Sequence, residues 1–130
     1  MTPTVVVADD DVDIRRLVTI SAARAGLEVV DDVGDGVEAM ESIRQFIPDL
    51  AILDVSMPGL TGLEICALVR ADPLLSGVRI LLLSASAGDN SIAAGLAAGA
   101  AGYLAKPFSP RELAQQLAAF SAGEPTGQTP

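Results

Sequence analysis

Five short apolar runs, each followed by a helical pattern, constrain this chain more than any other feature of its sequence. The strand candidates are Thr4–Ala8, Leu27–Asp31, Leu50–Leu53, Arg79–Leu83 and Gly102–Leu104. Three of them carry unbroken aliphatic runs (VVV, AIL and ILLL), the pattern of strands covered on both faces in a parallel sheet. Strands that alternate with helices imply a parallel sheet joined by right-handed crossovers. The expected fold class is therefore α/β, a single (βα)5 domain of the doubly wound kind.

The helices carry readable punctuation. Ile14, Leu17, Val18 and Ala22 form one apolar stripe, which Gly26 ends. Asp35 with Glu38, Thr61 with Glu64, and Ser109 with Glu112 each pair a capping residue with an acid three positions on, and Pro110 takes the favoured first helical position. Leu113, Leu117 and Phe120 make the buried stripe of the last helix. The segment SIAAGLAAGAAG is weaker, because Gly95 and Gly99 fall in or near its body and each costs about 1 kcal/mol against Ala in a helix interior. It reads as a loosely anchored helix and a moving part. Residues 1–121 read as the folded domain, and 122–130 as a linker-like tail without apolar pattern.

Composition removes several classes of function. The net charge of -9 argues against direct nucleic-acid binding, which needs a basic face. The chain has no His and a single cysteine, Cys66, so a Cys/His zinc site, an internal disulfide and a His-activated nucleophile are all excluded. Cys66 reads as a small buried hydrophobe. The start of the chain lacks the basic region of a signal peptide. The longest uncharged stretch, Asn90 to Ala105, is shorter than the roughly 20 apolar residues that span a bilayer. No membrane association is expected, and the cytoplasm is the expected location.

Chemistry in an open α/β sheet collects outside the carboxyl ends of the strands. Asp9, Asp10 and Asp11 follow the first strand, Asp54 the third, Ser84 the fourth and Lys106 the fifth. Taken singly, each has a plain reading: Asp11 and Asp13 as helix caps, Asp54 as a turn residue, Lys106 as a solvated surface charge. Their joint placement at successive strand ends points elsewhere. Clustered carboxylates without histidine suit a hard cation, Mg²⁺ first among them. Lys106 is the only lysine among eight basic residues, and it would offset the mutual repulsion of the acids and help keep Asp54 ionised. An ionised carboxylate can attack phosphorus to give an acyl phosphate.

With these residues in place, the motifs VVVADDD, LAILDVSMPGLTGLE, ILLLSAS and AAGYLAKPFS resemble the receiver domain of two-component response regulators, from Pro3 to about Phe120. The resemblance implies a five-stranded sheet in the flavodoxin-like order 2-1-3-4-5. It implies that Asp54 accepts a phosphoryl group from a sensor histidine kinase, a phosphotransfer protein or a small donor such as acetyl phosphate. Asp9, Asp10 and Asp54, with the Ser56 backbone carbonyl, would hold Mg²⁺ (or Mn²⁺). Ser84 and Tyr103 would be the hydroxyl and aromatic switch residues, with the surface of helix 4, strand 5 and helix 5 as the switched face. Lys106 would pair with Asp54 at rest and with the phosphoryl oxygens afterwards, and the Lys106–Pro107 bond would be cis. Such a protein is a signalling phosphoacceptor that catalyses only its own phosphorylation and dephosphorylation, rather than a turnover enzyme. Ser84 stands where many relatives carry Thr, and the small Ser86 implies an open site and a short-lived phosphoryl state.

Two other functions remain to be weighed. A degenerate receiver would keep the fold as a phosphorylation-independent binding module, yet the acceptor, acid pair, hydroxyl and lysine are all present. A hydrolase of the haloacid-dehalogenase type needs a second Asp two positions beyond the nucleophile, where this chain has Ser56. The output domain or docking partner has no signature in the sequence. The tail favours a piece of a longer regulator over a stand-alone receiver, and a phosphorylation-dependent homodimer stays open.

Overall fold

The computed structural model describes residues 2–85 and 89–121. Ser86 and the tail at 122–130, on which two of the expectations above rest, lie outside the described residues. The elements run β1 (Thr4–Ala8), α1 (Val12–Arg24), β2 (Glu28–Val33), α2 (Gly36–Phe46), β3 (Leu50–Asp54), α3 (Gly62–Ala71), a 3-10 turn (Pro73–Leu75), β4 (Arg79–Ser84), α4 (Asp89–Ala97), β5 (Gly102–Ala105) and α5 (Pro110–Ser121). All strand pairs are parallel, in the order β2-β1-β3-β4-β5. This is the expected doubly wound α/β fold.

Side-chain alternation divides the core into two layers. Val6, Ala8, Ala51, Leu53, Ile80 and Leu82 point to the side of α2 and α3, where Met40, Ile43, Ile65 and Val69 meet them. Val5, Val7, Ile52, Leu81 and Leu83 point to the other side, against Val18 and Ala22 of α1 and Leu113, Leu117 and Phe120 of α5. Strand β3, and β1 and β4 beyond their first residues, are buried along their length, so the aliphatic runs are explained by burial on both faces. With so few aromatics, each layer is filled mostly by Val, Ile, Leu and Ala, and each fully buried Val, Ile or Leu side chain is worth roughly 1.5–3 kcal/mol.

The caps behave as the sequence predicts. Thr61 and Glu64 form a reciprocal capping box, and Ser109 and Glu112 do the same at 3.0 and 3.1 Å. Asp11 caps α1 by accepting from the Asp13 and Ile14 amides, and Asp35 accepts from Glu38 N. Gly99 ends α4 rather than interrupting it, at φ +104, with the amides of Gly99 and Ala100 donating to Leu96 O and Gly95 O. Gly95 lies inside the helix, where a Cβ would come within 3.1 Å of both Leu82 and the Tyr103 ring.

Strand bounds differ from the expected ones in a consistent direction. Strands β3, β4 and β5 each run one residue further, to Asp54, Ser84 and Ala105, because the ladder continues through the pairs Asp54↔Leu83 and Ser84↔Ala105. Asp54 and Ser84 therefore belong to the sheet itself. Strand β2 begins at Glu28 rather than Leu27 and continues to Val33. Its register with β1 slips between Val5 and Val6, a bulge that periodicity does not reveal.

One contact was invisible in the sequence. A Cβ on Gly36, at the first position of α2, would lie 1.9 Å from the Leu60 carbonyl oxygen, so α2 begins in backbone contact with the loop that follows β3. Gly36→Ala gains about 1 kcal/mol of helix propensity but must move that loop, at a cost of about 1–3 kcal/mol. A lower urea midpoint is expected for Gly36→Ala; a midpoint equal to or above that of wild type would show that the loop has slack.

Candidate functional site

The carboxyl edge of the sheet brings four strand ends together. Asp9 follows β1 directly and is fully buried, and Asp54, the last residue of β3, is 5% exposed. Asp10 stands beside them and is exposed. One oxygen from each of these three carboxylates can be chosen so that all lie within 4.8 Å of one another. Ser84 ends β4 and is buried. The Lys106 amide donates to Ser84 O at 2.7 Å, which ties the end of β5 to that of β4. The Lys106–Pro107 peptide is cis.

Lys106 reaches across the sheet. Its Nζ lies 2.9 Å from Asp9 Oδ2 and 3.4 Å from Asp54 Oδ2. The pairing expected with Asp54 is thus shared, and the shorter bond goes to Asp9. Both carboxylates are buried, so each charge needs a compensating partner. The other Asp9 oxygen accepts from Asp11 N at 2.9 Å, and Asp54 Oδ1 accepts from Ser56 N at 3.3 Å.

Electrostatics follow from this packing. Burial, followed by the charge of Asp9, pushes the Asp54 carboxyl up to about 6, against the opposing pull of Lys106 and of the Ser56 amide. Burial alone would lower the Lys106 ammonium, but Asp9 and then Asp54 outweigh it and raise it above its ordinary value. Lys106 stays charged, while Asp54 is held near the edge of ionisation. Cys66 is buried in the α2/α3 layer, and burial pushes its thiol up to about 11 despite Arg70; it is a packing residue.

The remaining candidates surround this centre. Tyr103 on β5 is half-buried with its ring against Gly95 of α4, one strand away from Ser84. Ser56 is exposed in the loop after β3. Two features escaped the sequence reading. A Cβ on Gly62 would lie 2.8 Å from Asp54 O and 2.9 Å from Leu82 Cδ2, so the start of α3 packs directly against the end of β3. Arg15 donates from Nη1 to Asp9 O at 3.2 Å, and one arginine among seven in the sequence carries no signal that would single it out.

Whether the cluster suits a cation can be judged from its donors. All are carboxylate oxygens, one of the three carboxylates opens to solvent, and Asp54 is short of compensating charge. This is a hard-oxygen set suited to a small divalent ion that keeps part of its water.

Known proteins resemble this chain in sequence and fold. The family model of the response regulator receiver domain matches residues 5–118. The chain is 36% identical over 115 residues to the DNA-binding response regulator MtrA of Mycolicibacterium paratuberculosis, which covers 88% of this chain and 49% of that protein. It thus spans about half the length of the curated relatives it matches. Among solved structures, it is similar to the signal receiver domain of NarL from Mycobacterium tuberculosis, at 33% identity and TM-score 0.86, covering 95% of this chain and 98% of that one. A chemotaxis response regulator of Vibrio cholerae matches at 33% identity and TM-score 0.84, over 92% of this chain and 99% of its own.

The raised Asp54 value has a measurable consequence without metal. The folded state keeps the Asp54 proton up to about pH 6, whereas the unfolded chain releases it near 3.8. The stability it contributes is fully present below about pH 4 and is lost as pH rises through 6, amounting to at most about 3 kcal/mol. Asp54→Asn is therefore expected to raise the metal-free melting temperature at pH 7.5, by an increment that shrinks to nothing near pH 4. Equal increments at both pH values would contradict this.

Proposed function

Because the chain belongs to the response regulator receiver family, we propose that it is a phosphorylation-dependent signalling switch with Asp54 as the phosphoryl acceptor. The observation that carries this reading is a buried carboxylate at a strand end, held between two further carboxylates and one ammonium group. The donor is the phosphohistidine of a sensor kinase or phosphotransfer protein, or a small acyl phosphate.

An Asp54 oxygen attacks phosphorus, the bond from phosphorus to the donor breaks, and a phosphohistidine donor leaves as neutral imidazole after taking a proton from water. Asp9, Asp10, Asp54 and the Ser56 carbonyl would hold Mg²⁺ (or Mn²⁺). When bound, that ion supplies charge that keeps the acids ionised and shields the phosphoryl oxygens. Lys106 then shifts its bond from Asp54 to a phosphoryl oxygen while staying anchored on Asp9. Lysine suits this because a compact, rotatable ammonium can follow a moving oxygen, whereas the arginine fork favours one fixed geometry. Ser84 follows the phosphoryl group from the next strand. Tyr103 relays that shift to α4, against which its ring already rests. Residues 1–121 act as the receiver unit, and a kinase and an output domain or docking protein are the partners. Among the described residues no helix is long and apolar enough to cross a membrane.

Label from a ³²P-phosphorylated kinase, or from acetyl [³²P]phosphate, should pass to the wild-type protein with Mg²⁺ present and not to Asp54→Asn. Absence of label from both donors would leave the phosphorylation-independent binding module as the reading. Lys106→Arg should bind Mg²⁺ nearly as wild type and accept label, yet lose the partner response. A fully active Lys106→Arg protein would refute the role given to the lysine.

A further inference from the structure

Asp9 is held at every polar atom it has. Its amide donates to Val33 O at 3.2 Å, its two carboxylate oxygens accept from Asp11 N and Lys106 Nζ, and its carbonyl accepts from Arg15 Nη1 at 3.2 Å. That carbonyl is half of the peptide linking Asp9 to Asp10. Fixing its plane fixes the direction in which the backbone delivers Asp10, the one exposed carboxylate of the cluster.

Arg15 is itself anchored. Its Nε lies 3.5 Å from Asp32 Oδ1 on β2, with the Arg15 side chain 24% and the Asp32 side chain 50% exposed. A Cβ on Gly34 would lie 2.7 Å from Arg15 Nη1, so the turn after β2 leaves just enough room for the guanidinium. An ion pair this exposed adds little stability, but a planar fork that grips a carboxylate and a carbonyl together restricts orientation. We propose that Arg15 is a positioning residue for the cation site, setting the Asp9–Asp10 peptide so that Asp10 joins Asp9 and Asp54, with Asp32 acting through Arg15. This rests on the reading of the three carboxylates as a divalent-cation site.

The sign of the effect separates positioning from simple charge. Arg15 carries a positive charge beside a cation site, so if it acted only through that charge, removing it would tighten cation binding. Positioning demands the opposite, and losing an outer partner of a metal ligand typically weakens binding about 10–100-fold. Mn²⁺ binding, followed by electron paramagnetic resonance at a temperature where circular dichroism shows each metal-free variant folded, gives the test.

Arg15→Ala should weaken Mn²⁺ binding by about tenfold, and Arg15→Lys should also weaken it, because charge is kept while the fork is lost. Asp32→Asn, a surface change that leaves folding intact, should weaken it less. The Arg15→Ala/Asp32→Asn double variant should match Arg15→Ala alone. Unchanged or tighter binding in Arg15→Ala, or additive losses in the double variant, would overturn the positioning role while leaving wild-type binding in place. Wild-type protein that fails to bind Mn²⁺ would overturn the cation site as well.

Discussion

A single ammonium group lies between two buried carboxylates, and the working edge of this protein depends on that arrangement. Asp9 and Asp54 arrive from adjacent strands, β1 and β3, and burial leaves both short of solvent. Charges taken out of water cost several kcal/mol each unless they find partners. Lys106, separated from Asp9 by 97 positions in the chain, supplies the partner for both. The pair therefore links the first strand to the last across the sheet, and chemistry and topology are joined at one contact.

That compensation is incomplete, and the incompleteness suits a switch. One positive charge cannot neutralise three acids, and Asp54 bears the deficit, with its carboxyl raised to about 6. A cation, or a phosphoryl group that recruits one, would relieve it. The surroundings are closely packed where position matters. Backbone contacts at Gly36 and Gly62 pin the loop after β3 and the start of α3 beneath Asp54, and the bonds to Asp9 leave no polar atom of that residue loose. The ring of Tyr103 on β5 abuts Gly95 on α4. A glycine that costs the helix stability also gives the ring its seat.

Much of this was legible in advance, for identifiable reasons. The aliphatic runs announce doubly covered strands because burial on two faces removes polar alternation, and the capping pairs at Thr61–Glu64 and Ser109–Glu112 act over three residues, within the reach of local pattern. The acids and the lysine were found because strand ends are countable. The misses have other causes. The extra residue on β3, β4 and β5, the slip in β2 and the contact of Gly36 with Leu60 depend on atoms distant in sequence, whereas the Gly62 contact with Asp54 and the grip of Arg15 on Asp9 span only a few positions but cross from a strand end to the following helix, where neither strand nor helix periodicity applies.

The amino-acid order alone determined the element alternation, the largely aliphatic core, the helix ends and the set of side chains delivered to one edge, since each of these follows from short-range periodicity, capping chemistry and composition. Only the tertiary structure decided how those side chains share charge. In chain order the acid nearest to Lys106 is Glu112, and neither Asp9 nor Asp54 is close to it. The packing of β1 against β3 buries both carboxylates, the ammonium comes to lie closer to Asp9 than to Asp54, and Asp54 is left with its carboxyl raised by burial and by the charge of Asp9.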